Sequence, residues 1–317
     1  MFFILFSVTY LFRNQMNSGG SIKILSGDAS SDSSIGGSVH ISGGNGMGSS
    51  AANGGDGGHV MLSGGFSNGE SVSDIAGDIA LTGGNASAGI AGSIVASSGV
   101  SEKGSSGNIE ISSSNSGSHG ISGDLTLKTG YSNAGPSGKV SITSGSSFSG
   151  QGGSIDISVG DGSYFDGGNV KLSAGRSLSP ARTGGSVRID GGEGSSSHSD
   201  DGGDGGAVEL YGGESKGESK NDSGGDIKLS GGTSQHGYGG SMHLQSGFGI
   251  ASSSGVVFIR TSNAGQYGTS GDMALETGSS SHGESGSISL LTGDSSKGSS
   301  GDIDVLVGSS DSSGKLV

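Results

Sequence analysis

The sequence predicts an all-β protein, a narrow parallel β-solenoid of about 18 rungs of 15–21 residues in two tandem nine-rung blocks of 148 residues. Three observations carry that expectation. A short phrase of small, apolar, polar, apolar residues recurs along the chain, as in Gly152-Gly153-Ser154-Ile155-Asp156-Ile157-Ser158-Val159-Gly160. The unequal intervals between phrases repeat in the same order in both halves. What lies between them is mostly Gly and Ser, which suits tight turns.

The first apolar residue of the phrase falls at Ile22, Val39, Val60, Ile79, Ile94, Ile109, Leu125, Val140 and Ile155. It falls again at Val170, Val187, Val208, Ile227, Met242, Val257, Met273, Ile288 and Ile303. The intervals run 17, 21, 19, 15, 15, 16, 15, 15, 15 and then 17, 21, 19, 15, 15, 16, 15, 15. A shift of 148 residues therefore maps Ile22 onto Val170 and Ile155 onto Ile303. Smaller details follow it: Gly54-Gly55-Asp56-Gly57-Gly58 matches Gly202-Gly203-Asp204-Gly205-Gly206. Chance does not preserve unequal spacings in order, and self-similarity at a fixed period marks repeat architectures.

Apolar–polar alternation is the period of a strand, with Ile155 and Ile157 on one face and Asp156 on the other. Each such segment is too short to stand alone. Setting each beside its copy one rung away predicts in-register ladders of Ile, Val and Leu. The residue between the two apolar ones varies freely, from Lys23, His40 and Glu110 to Phe258 and Asp304, as a solvated face does. Two inward side chains per rung bury less than the ordering of some fifteen residues costs, so stability is expected only from neighbouring rungs acting together.

Composition narrows the alternatives. Glycine supplies 72 of 317 residues, with 2 Pro, so collagen is excluded, and hydrophobic residues at 29% are too few for a conventional core. Disorder is the competitor that such composition raises, and the regular apolar spacing argues against it. A net charge of −14 opposes nucleic acid and anionic lipid as partners. With no cysteine there are neither disulfides nor thiolate metal sites.

Residues 1–18 form an apolar N-terminal segment, Met1 to Phe12 holding four of nine Phe, which reads as signal-like or as an end cap. It is too short to span a bilayer comfortably, so no membrane span is expected. Block 1 then runs over 19–167 and block 2 over 168–317. The second continues into the start of another rung, since Ser313-Gly314-Lys315-Leu316-Val317 resembles Ser137-Gly138-Lys139-Val140. Open ends of that kind predict end-to-end stacking of copies, or a piece of a longer array.

Chemistry-bearing residues are few. Asp56 and Asp204, in the matching Gly-Gly-Asp-Gly-Gly loops, are the weak Ca²⁺ candidates, carboxylate oxygen being the ligand that ion prefers. Asp78, Asp124, Asp226, Asp272 and Asp302 each follow Gly and precede the first apolar residue. They are off consecutive rungs, which favours Asx-turns over a metal roll. The seven His residues never pair at ligand spacing, and no acid/base or nucleophile constellation repeats, so neither catalysis nor a cofactor is expected. Asn85 and Asn221 begin glycosylation sequons, meaningful if the chain is secreted, which admits glycans as partners.

The Gly-Gly-Ser-Val/Ile-x-Ile phrases over residues 19–315 resemble the Gly/Ser-rich β-solenoid repeats of cell-surface fibres and adhesin stalks. That resemblance implies an extracellular, structural, often glycosylated role with no catalytic residues. Fifteen-residue rungs also resemble insect antifreeze solenoids, but the outward Thr-x-Thr ladder of those proteins is missing. The expected function is therefore a structural filament or stalk built by stacking. The alternative is a surface module that binds Ca²⁺, carbohydrate or ice.

Overall fold

The computed structural model describes residues 20–50 and 54–308. The apolar segment 1–18 and the incipient rung at 313–317 lie outside the described residues. The chain divides into two units, Met1–Ile155 and Asp156–Val317, the boundary falling inside one phrase.

Among the described residues there is no strand, sheet or helix, and no side chain is buried. This corrects the sequence-based expectation of an all-β fold: the chain is neither a β-solenoid nor a parallel β-helix. The phrases exist, but they form no ladder with one another. The physical reason lies in the other half of each repeat. Loops such as 145–153 are mostly Ser and Gly, and the one large apolar residue there, Phe148, is fully exposed and builds no second apolar wall. The two apolar residues of a phrase thus have nothing across from them to close a cross-section, and the burial that would hold neighbours in register is missing.

Within each unit the same piece recurs. A phrase runs seven residues from one glycine to the residue before the next loop, as in 37–43, 58–64, 77–83 and 92–98 of the first unit, and 185–191, 206–212, 225–231 and 240–246 of the second. Side chains alternate along it. In 58–64, Val60 and Leu62 are 51% and 65% exposed while Met61 between them is 87% exposed. Arg188 Nε reaches Asp190 Oδ2 at 2.7 Å and Lys228 Nζ reaches Asp226 Oδ2 at 2.9 Å, pairs two residues apart on one side of an extended backbone. Both pairs are solvent-exposed and contribute little to stability.

Loops carry all the variation in spacing. Measured from opening to closing residue they span 10, 14, 12, 8 and 8 steps at 27–37, 44–58, 65–77, 84–92 and 99–107. In the second unit 175–185, 192–206, 213–225, 232–240 and 247–255 repeat the series. Their internal turns repeat as well. Ser71 N donates to Asp74 Oδ2 at 3.2 Å and Asp74 N to Ser71 O at 3.0 Å. The counterparts 148 residues on, Ser219 N to Asp222 Oδ2 and Asp222 N to Ser219 O, measure 3.0 and 3.1 Å. In shorter loops a serine hydroxyl accepts from a glycine three residues later: Ser101 from Gly104, Ser132 from Gly135, Ser234 from Gly237 and Ser295 from Gly298.

Among the described residues two non-glycines hold left-handed backbone, Ser33 at φ 60° and Ala181 at φ 55°, again 148 residues apart. An L-residue there is strained by roughly 1–2 kcal/mol. Ser33→Gly is expected to relieve the turn closed by Ser34 N donating to Ser31 O at 3.2 Å. Amide exchange at Ser34 should slow by about three- to tenfold, less whatever glycine adds to unfolded-state entropy. An unchanged rate would show that the turn holds no such strain.

Candidate functional site

The feature that recurs in all but two described phrases is a pair of half-open apolar side chains; Ile22 in 20–26 is 83% exposed, and Ala96 takes the second place in 92–98. Val39 and Ile41, Ile227 and Leu229, and Met242 and Leu244 are each about half to two-thirds exposed. Apolar residues in the loops, such as Phe66, Phe148 and Tyr238, are almost fully exposed. The difference shows that neighbouring backbone partly covers the phrase pair and leaves the loops free. Between 225–231 and 240–246 the arrangement is explicit. A cleft of about 460 Å³ there is lined by Lys228, Leu229, Ser230, Gly231, Ser241, Met242, His243 and Leu244. These two phrases thus lie alongside each other with open space between them, and their backbones do not join in a ladder.

What holds a loop shut is a single backbone hydrogen bond at its neck. Gly58 N donates to Gly44 O, Gly77 N to Gly65 O, and Gly92 N to Gly84 O, all at 2.8 Å. Gly206 N to Gly192 O, Gly225 N to Gly213 O and Gly240 N to Gly232 O are the matching bonds of the second unit, also at 2.8 Å. In these six the residue just before the opening glycine is itself glycine: Gly43, Gly64, Gly83, Gly191, Gly212 and Gly231. A Cβ on Gly231 would overlap the carbonyl oxygen of Gly240, so the chains approach this closely only because no side chain stands there.

The remaining necks vary with that same residue. With Ser26, Ala174, Ser98 or Ser246 the bond forms at 2.8–3.0 Å, and Ser26 Oγ adds a bond to Gly37 O at 2.8 Å. With Ser144 it lengthens to 3.3 Å. Among the described residues no such bond forms where Thr129, Val159, Thr261, Thr277 or Thr292 precedes the loop, nor after Ser113. A β-branched methyl occupies the neck instead: a Cβ placed on Gly286 would lie 3.5 Å from the Thr277 methyl carbon. Among the described necks Gly or Ala at that position goes with a tied loop and Thr or Val with an open one, while Ser occurs with both. The Gly-Gly against Thr-Gly alternation was visible in the sequence, but its meaning was not.

The predicted site residues lie apart from one another. Asp56 and Asp204 stand on the closing arms of the longest loops, 44–58 and 192–206. The backbone oxygen of Asp204 packs against Gly194, and that of Asp56 against Gly46. Among the described residues no group of three or more His, Asp or Glu is arranged to hold a metal ion. Asn85 lies on the exposed arm of 84–92. Asn221 sits in the turn after Ser219, its amide donating to Ser219 Oγ at 3.2 Å. Asp226 pairs with Lys228 and makes no metal cluster. His119 and His282 each hydrogen-bond through Nδ1 to the preceding serine, Ser118 and Ser281. No helix among the described residues is long and apolar enough to cross a membrane.

Comparison with protein-family models, with curated proteins and with solved structures finds no match to this chain.

Proposed function

We propose that the protein is a structural, non-enzymatic repeat chain that forms or extends an extracellular filament or stalk. The observation that supports this best is the constancy of the phrase. It keeps its seven residues and, in all but two described phrases, its half-open apolar pair while the loops around it range from 8 to 14 steps. A part held constant along a whole chain, and repeated again 148 residues on, suits a job done many times in parallel. Single catalytic sites have no use for that uniformity. Its placement outside the cell rests on the sequence phrases alone.

Negative-stain images of the purified full chain at increasing concentration test the proposal. Filaments or bundles are the expected result, and dispersed single chains at every concentration would overturn it. Calorimetric titration with Ca²⁺ and a glycan array cover the binding-module alternative. A saturable signal there, with no assembly, would put that alternative in its place, with Asp56 and Asp204 the first carboxylates to substitute.

A further inference from the structure

We infer that the half-open apolar pairs of the phrases are a lateral docking face for a second copy of this chain, set in register by whole 148-residue blocks. The inference rests on the structural reading above and names its partner and its surface. It differs from end-to-end stacking, which would use only the terminal repeats.

The surface is large enough. At about 50 Å² of apolar area left on each half-open Val, Ile or Leu, a phrase offers roughly 100 Å². The eight phrases from 20–26 to 138–144 in the first unit hold fifteen such residues, Ala96 taking one place, and would together offer about 750 Å², close to one side of a stable interface. The cleft between 225–231 and 240–246 shows that such pairs do come side by side, with Leu229, Met242 and Leu244 lining common space. Apolar surface repeated in this way marks an interaction face, where scattered exposed residues would not.

The repeat argues that the occupant is a copy. A partner lying across successive phrases must also clear their loops, whose lengths follow an unequal series. A second copy, in register or displaced by one block, sets every loop beside a loop of equal length. An unrelated chain has no reason to match that series. Electrostatics opposes the contact, because each copy carries a net charge of −14. Association is therefore driven by apolar burial against charge repulsion, and added salt should strengthen it.

Sedimentation velocity on the full chain from low to high NaCl tests this, beside two variants. One replaces stripe residues, Leu229→Ser, Leu244→Ser and Ile259→Ser. The other replaces more exposed loop residues, Tyr238→Ser, Phe248→Ser and Ile250→Ser. The expected result is lateral assembly that grows with salt, weakens at least tenfold in the stripe variant and persists in the loop variant. Amide exchange at Gly225 and Gly240 verifies that the necks survive in both variants. Loss of assembly in the loop variant alone, persistence in the stripe variant, or weakening by salt would each overturn the lateral face. Filaments that survive the stripe substitutions would overturn this inference and leave the structural reading standing. A wild-type chain that stays single at every salt and concentration would remove both.

Discussion

Gly231→Val is expected to open the 232–240 loop. The new Cβ would overlap the carbonyl oxygen of Gly240, and the second methyl would stand where Thr277 places its own in an open neck. The bond from Gly240 N to Gly232 O, now 2.8 Å, has no room to persist. A backbone hydrogen bond is worth about 1 kcal/mol net, so amide exchange at Gly240 should quicken by about fivefold or more, to the rate of an unbonded glycine. Gly225, at the neighbouring neck, should be unchanged. The reverse experiment is Thr277→Gly, which clears the methyl beside Gly286 and should let Gly286 N reach Gly278 O. Its amide should then slow by about the same factor. If both variants leave their glycine amides unaltered, the residue before the loop does not govern the neck.

The second large effect separates phrase from loop. One residue inserted between Lys228 and Leu229 turns the leucine to the side opposite Ile227, because side-chain period is two. Leu229 now lines one cleft with Met242 and Leu244. Methyl contacts from Leu229 to Met242 in nuclear Overhauser spectra should vanish with that insertion. Two residues, Gly-Ser, inserted after Ser234 should leave them in place. Lengthening a loop from eight to ten residues costs only about 0.2 kcal/mol in closure entropy. The chain already supports loops of 14 steps on the same phrase at 44–58 and 192–206. Equal loss of contact from both insertions would show that loop length sets the position of the phrases after all.

The tied and open necks give the two blocks a common internal plan. From 27–37 to 99–107 and from 175–185 to 247–255 every loop is tied. Beyond those, the bond at Gly153 is long and the other described necks are open. The one departure between the blocks, 145–153 against 293–301, accompanies Ser144 against Thr292. The side chain thus changes where the period does not.

The sequence by itself determined the period, the seven-residue phrase, the alternation within it and the positions of the turns. All of these depend on residues close together in the chain. Ser71 and Asp74 make the same turn as Ser219 and Asp222 because the same local side chains meet the same amides. Ser33 and Ala181 even share an unusual φ without sharing a residue type. Alternation at Ile227 and Leu229 could not reveal whether the neighbouring phrase would pair with them. A period of two is a property of one segment, whereas a ladder depends on how near the next segment comes. Only the tertiary structure decided that. It leaves a cleft between 225–231 and 240–246, and it places the backbone bonds at the loop necks. The apolar pair stays half open because the Gly/Ser loops supply no opposing apolar wall to cover it.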